Sequence, residues 1–90
     1  MRGMNHVMVS GTVEDPLFDE TNSGTDCATF RLVVEGNGGF ITAIRCNAYG
    51  PTLVQICRSH MAAGRRAEVY GELMKRKELT EVRIKEVVFI

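Results

Sequence analysis

The sequence predicts an all-β domain, a small five-stranded barrel with one helix. Three runs of alternating apolar and polar residues come first, one helical segment follows, and two more alternating runs end the chain. Such alternation indicates half-buried strands. The helical segment begins at Pro51, which suits a first helical turn, and is expected to end at Gly64. A helix between the third and fourth of five strands is the element order of the OB-fold, a Greek-key barrel.

Each element is predicted from its own pattern. The strands are expected at residues 5–13, 27–35, 40–49, 66–74 and 80–90. Gly11 inside the first strand indicates a bulge or bend, which a small barrel needs. Turn residues predict a loop over 14–26, a tight hairpin at 36–39 and a turn at 75–79. A chain of 90 residues has room for one such domain, so we expect a single OB-fold domain over residues 1–90.

Composition argues against several other classes of protein. No apolar run approaches the ~20 residues of a membrane helix. The start of the chain, MRGMNHV, has no signal-peptide pattern, so we expect a cytoplasmic or organellar-matrix protein without a membrane partner. Three cysteines form no CxxC pair and are expected to be reduced core residues. His6 and His60 have no ligand partners at metal spacing, so no metal and no cofactor is expected.

The sequence offers little for catalysis and more for nucleic-acid binding. No Ser, His and acid grouping and no phosphate-binding glycine loop occurs, so an enzyme is not expected. The net charge is zero, but residues 51–90 hold eight basic side chains against five acidic ones. Non-specific single-strand binding needs cations along the phosphates and flat side chains on which bases stack. Alternation places the outward side chains Arg31, Arg45 and Tyr49 on the second and third strands.

The candidate nucleic-acid-binding residues come from these outward positions, from the two strand hairpins, from the start of the chain and from the segment that follows the helix. They are Arg2, His6, Arg31, Phe40, Arg45, Tyr49, Arg65, Lys75, Arg76 and Lys77. For the KRK run an ordinary solvated turn is an equally good interpretation. Tyr49 could equally be a core or interface residue, and Phe40 could serve hairpin packing. Two cations on one sheet face are more telling, because folding does not need them.

The stretches VSGTVEDP, SGT, YG and AGRRAEVYGELMKRK resemble the bacterial single-stranded DNA-binding protein (SSB) family over nearly the whole chain. The resemblance implies an OB-fold that assembles into a tetramer or dimer and wraps single-stranded DNA in replication, recombination and repair, close to the nucleoid. It implies DNA contacts by Tyr49 and Arg45 on the third strand and by Arg76 and Lys77 after the fourth. The first strand, with apolar Met8, is the expected dimer edge.

The chain departs from that family in its aromatic residues. The family often has tryptophan where this chain has Ala43 and Glu78, and this chain contains no tryptophan. If stacking contributes ~1–3 kcal/mol per base, weaker binding per subunit follows. VMVSGTVEDPL also resembles the start of primosomal replication protein B, an SSB-derived OB dimer that bridges replication proteins. An OB module used only for assembly, without nucleic acid, is a third hypothesis.

Overall fold

The computed structural model describes residues 3–90, and in this range five strands and one α-helix follow the predicted order. The strands are β1 (Val7–Glu20), β2 (Asp26–Glu35), β3 (Ile41–Tyr49), β4 (Arg66–Arg76) and β5 (Leu79–Phe89), and the helix α1 (Pro51–His60) lies between β3 and β4. A short 3-10 turn, Asn37–Gly39, forms the hairpin between β2 and β3. The element order of the OB-fold is confirmed.

The strands close into a barrel in the order β1-β2-β3-β5-β4. All neighbouring strands are antiparallel except β3 and β5, which run parallel and pair at Cys46 with Val82 and at Asn47 with Arg83. β1 belongs to two ladders: Val7 to Thr12 pair with β4, and Thr12 to Glu20 pair with β2. A single strand thus joins both halves of the barrel.

The core of the barrel consists of side chains from alternate strand positions. Phe30, Leu32, Val13, Val69 and Val82 are at most 1% exposed. Two helix side chains, Val54 and Cys57, belong to the same cluster, so α1 covers one end of the barrel. In β2 and β3, Phe30, Leu32, Cys46 and Ala48 are buried at alternate positions, as expected of half-buried strands.

The predicted loop over 14–26 is wrong, because β1 continues to Glu20 and only 21–25 form a turn. The β1–β2 register shifts between Glu14 and Leu17, where three steps along β1 match two along β2. Asp15 in this bulge has a left-handed φ of 50°. A bulge accommodates Pro16, which has no N–H to donate to the ladder. The extra residue reverses which positions of β1 face outward beyond it.

Two other predicted boundaries differ from the structure. The helix ends at His60 and not at Gly64, since Met61 is already extended, with φ −75° and ψ 129°. Arg65 holds this end by donating to the carbonyl oxygens of His60 and Ile90, at 3.1 and 3.3 Å. The turn predicted at 75–79 is shorter, because β4 extends to Arg76 and β5 begins at Leu79.

Two glycines stand where neighbouring strands approach too closely for a side chain. A Cβ on Gly11 would lie 2.2 Å from the carbonyl oxygen of Val33, and one on Gly71 would lie 2.0 Å from that of Arg83. Both obstacles are backbone atoms, which cannot rotate away. The β4–β5 register shifts between Tyr70 and Gly71, whereas the register shift of β1 lies not at Gly11 but between Glu14 and Leu17.

Two of the three cysteines are core residues as predicted. Burial raises the pKa of the Cys46 thiol to about 12 and that of Cys57 to about 11, because the thiolate would lose its hydration. Cys27 is also buried but lies outside the core cluster, on the outward face of β2.

Residues 3–90 contain no helix of the length and apolar character that crossing a membrane would require. Within the same range, no three His, Cys, Asp or Glu side chains group closely enough to hold a metal ion. The outer surface of the sheet, in contrast, carries a well-defined concave feature.

Candidate nucleic-acid interface

A cleft of about 650 Å³ opens on the outer face of the barrel between two hairpin turns. The end of β1 and its turn to β2 form one side, through Leu17, Asp19, Glu20, Thr21 and Asn22. The β4–β5 hairpin forms the other, through Arg76, Lys77 and Leu79, and Glu81 follows on β5. Between them lie Cys27 and Thr29 of β2 and Arg45 and Tyr49 of β3.

Arg31 and Arg45 are direct cross-strand partners in the β2–β3 ladder, and both are exposed. They lie together on the outward face of the sheet, as the alternation predicts, but only Arg45 lines the concave cleft. Their surroundings differ, however. Arg31 donates to Glu14 at 2.6 Å and lies 3.6 Å from Asp15, while Arg45 lines the cleft. The hydrogen bond to Glu14, with the charges of Glu14 and Asp15, raises the pKa of Arg31.

Tyr49 is half-buried at the inner end of the cleft, opposite Cys27 across the β2–β3 ladder. The Arg83 guanidinium carbon lies 6.0 Å from the centre of its ring, a cation–π distance. The ring therefore has one side near a cation and belongs to the outer surface, not to the core cluster. This placement agrees with a surface role and not with a core role.

Three of the predicted cations meet in the cleft: Arg45, Arg76 and Lys77. None of the three forms an ion pair with another residue in the described part of the chain. Lys75 is 3.9 Å from Glu78 and does not line the cleft. Lys77, with a left-handed φ of 57°, forms the turn itself.

The remaining predicted residues lie elsewhere. Phe40 is 76% exposed at the tip of the β2–β3 hairpin. His6 is exposed just before β1, next to Asn5, whose side chain pairs with the backbone of Leu73. Arg65 caps the end of α1, and Arg2 lies outside the described residues. The structure thus brings Arg45, Tyr49, Arg76 and Lys77 together in the cleft, whereas Phe40, His6 and Arg65 do not line it.

Three polar residues at or next to the cleft are buried. Asn47 is fully buried although it faces outward, and it donates from Nδ2 to Glu81 Oε1 at 2.8 Å. Glu81 is 4% exposed and Thr29 is 9% exposed. Asn47 Oδ1 and Thr29 Oγ1 are buried without a hydrogen-bond partner within residues 3–90. Thr29 and Glu81 line the cleft, and Asn47 is not among its lining residues but is the cross-strand partner of Thr29 and the donor to Glu81. We refer to these three residues together as the cleft floor.

The sequence analysis missed the cleft floor and two apolar walls. Leu17 and Leu79 line opposite sides of the cleft and are 55% and 64% exposed. Asp19, expected in a solvated loop, is a strand residue on the cleft wall. Local alternation could not have found Leu17 and Asp19, because the bulge at Asp15 and Pro16 reverses which positions of β1 face outward.

The cleft is not uniformly basic. Its cations are matched in number by the carboxylates Asp19, Glu20 and Glu81. Long-range attraction of a polyanion is therefore weak, and local placement of charge must determine what the cleft accepts.

Similarity to known proteins is structural. No protein-family model matches the sequence, and no curated protein sequence matches it. In solved structures, 168 chains are similar to this one. One is the Plasmodium falciparum SSB in complex with ssDNA, with a TM-score of 0.85 and 23% identity, over 100% of this chain and 97% of the other. At this identity the likeness establishes the fold alone: the chain is an OB-fold protein.

Proposed function

We propose that this protein binds single-stranded DNA without requiring a particular sequence. The observation that carries the proposal is the cleft, where Arg45, Arg76 and Lys77 lie around Tyr49 without ion-pair partners in the described residues. Such a groove needs cations for phosphates and an aromatic ring for bases. The fold shared with a protein solved in complex with ssDNA supports the same proposal.

Each part of the cleft has a task in this proposal. The two arginines and Lys77 contact successive phosphates, with Arg31 and Lys75 adding charge nearby. Tyr49 stacks on a base, while Leu17 and Leu79 provide apolar surface for other bases or sugars. Phe40, His6, Arg65 and Arg2 belong to a longer path of the strand around the barrel. With one tyrosine in the cleft, affinity per subunit is modest.

We also propose that the protein acts as a homo-oligomer, a dimer or a tetramer. The support is the N-terminal half of β1, where Val7 to Gly11 pair with β4 and have no ladder partner on the other side among residues 3–90. Met8 in this segment is 73% exposed. Such a protein serves DNA replication, recombination and repair, alongside replication proteins, in the cytoplasm near the nucleoid.

Titration of labelled oligo-dT at several salt concentrations tests the proposal. For single-strand binding, the logarithm of the binding constant falls against the logarithm of the salt concentration with a slope of about −0.7 per neutralised phosphate. Three cleft cations therefore predict a slope of about −2 per subunit. Tyr49→Ala should weaken binding about tenfold by removing one stacking surface, and Tyr49→Phe should bind almost normally. The melting temperature of Tyr49→Ala should stay close to that of the wild type.

Three results would contradict the proposal. Equally tight binding to duplex DNA would exclude a single-strand preference. A failure to bind oligo-dT at low salt would favour an OB assembly module, or a bridging factor like primosomal replication protein B that acts through protein contacts. Unfolding of Tyr49→Ala would make Tyr49 a structural residue.

A further inference from the structure

We propose that the cleft floor selects guanine at one nucleotide position, through the Glu81 carboxylate. The inference rests on the single-stranded DNA binding proposed above and adds a base preference to it. It starts from a carboxylate that is 4% exposed and yet lines the cleft. Buried carboxylates are rare unless they are paired.

Glu81 is only partly satisfied by the protein. Its Oε1 accepts one hydrogen bond from Asn47 Nδ2, at 2.8 Å. No other side-chain hydrogen bond and no ion pair to Glu81 occurs within residues 3–90. Asn47 thus fixes one oxygen of the carboxylate. The other, Oε2, is not among the buried unbonded atoms of residues 3–90 and is free to accept from a ligand.

Two further polar atoms of the floor lack partners. Asn47 Oδ1 and Thr29 Oγ1 are buried and unbonded, and their residues are cross-strand partners on β3 and β2. More than nine-tenths of each residue is buried, and Thr29 lines the cleft. Buried polar side chains in folded proteins nearly always have partners. The Glu81 carboxylate and the Thr29 hydroxyl belong to residues that line the cleft, so they point to a ligand that donates hydrogen bonds, while Asn47 holds the carboxylate in place.

Charge is separated by depth in the cleft. Cys46 and Val82 are parallel partners, so the preceding residues Arg45 and Glu81 are neighbours on adjacent strands. Arg45 is exposed and Glu81 is buried, and they form no ion pair. Phosphates would thus remain at the cationic rim, because the deeper carboxylate repels them. A base can reach the floor if it offers hydrogen-bond donors.

Guanine is the base whose edge fits such a floor. Its Watson–Crick edge carries N1–H and the N2 amino group side by side, which match the two oxygens of a carboxylate. Cytosine and adenine offer a single exocyclic amine beside a ring acceptor, and the N3–H of thymine lies between two carbonyl oxygens that the floor would repel. Single-stranded bases can be recognised on this edge, because it is unpaired.

The experiment compares oligo-dT with the same oligonucleotide carrying one central dG, dA, dC or deoxyinosine, by fluorescence anisotropy on the full chain. A single guanine prevents quadruplex formation. The dG oligonucleotide should bind on the order of tenfold tighter than oligo-dT, as a good bidentate contact implies. Deoxyinosine, which lacks the 2-amino group, should lose most of this gain.

Glu81→Gln should remove the difference in affinity between the dG and the dT oligonucleotides. Glu86→Gln makes the same charge change on the same strand, at an exposed position outside the cleft, and should keep this difference. Melting temperatures of both variants identify a loss that is due to unfolding. The base comparison on the wild type needs no variant and stands by itself.

The failures are distinguishable. Equal binding of the dT and dG oligonucleotides overturns the guanine preference and leaves the proposed function in place. No binding of any oligonucleotide overturns the proposed function itself. A guanine advantage that survives in folded Glu81→Gln overturns the assignment to Glu81.

Discussion

The charge that the sheet face presents depends on how single carboxylates are placed. Glu14, Arg31 and Arg45 occupy one cross-strand row on β1, β2 and β3. Glu14 and Asp15 hold the Arg31 guanidinium, while Arg45 in the same row has no ion-pair partner within residues 3–90. A phosphate that approaches Arg31 must therefore displace a carboxylate, whereas Arg45 needs no such exchange.

Replacing Glu14 tests this competition. Glu14→Gln should raise the affinity for oligo-dT a few-fold, because Arg31 then becomes available to a phosphate. The log–log salt slope should steepen by about 0.7 if one more phosphate is neutralised. Anisotropy titrations at several salt concentrations measure both quantities. Glu86→Gln changes the net charge equally at an exposed position of β5, and an identical gain there would show that only net charge matters.

The position of a single residue on the sheet can be predicted where strand alternation is local. Arg45 and Tyr49 follow from the uninterrupted alternation of β3, and the hairpin position of Arg76 follows from the turn after β4. The burial of Glu81 does not, because it depends on the parallel pairing of β5 with β3. Contacts between strands that are distant in sequence leave no local pattern.

At the level of elements, β1 shows why boundaries are harder to predict than element order. Its Pro16 and the turn residues near it are typical of a loop, and yet the bulge at Asp15 lets the strand continue to Glu20. The outward positions of β1 beyond the bulge therefore do not follow from the alternation before it, and Leu17 and Asp19 are not predicted to line the cleft. The end of the helix differs from its predicted position for another reason. Arg65 donates to the carbonyl oxygen of His60 and fixes the helix end there, before Gly64.

Gly71 lies at the tightest approach of β4 to β5, and its substitution tests how closely these elements must pack. Gly71→Ala should lower the free energy of unfolding by at least about 1–3 kcal/mol, because its Cβ would overlap the Arg83 carbonyl. Gly3→Ala is the control, since nothing lies within 4 Å of the added atom. Urea unfolding measures both. Equal stability of the two variants would contradict the close approach.

For the whole molecule, the unpaired edge of β1 predicts self-association. Pairing of this edge with a second copy would bury Met8, which is 73% exposed in the single chain. The wild type should therefore have at least twice the chain mass of 10.0 kDa in light scattering, and Met8→Glu should shift it toward the monomer. A matched change at exposed Leu73, Leu73→Glu, should leave the mass unchanged. A monomeric wild type at high concentration would contradict the proposal.

The order in which the barrel closes has a consequence for its synthesis. The ladder between β1 and β4 joins Val7 to Gly71, so the first strand meets one of its two partners only when most of the chain exists. During synthesis, the N-terminal half of β1 has no strand partner until β4 has been made, after β2, β3 and α1. Pairing between such distant segments is slow because a long loop must close first. The exposed row that invites a second copy after folding is thus also the part of the nascent chain most open to premature association.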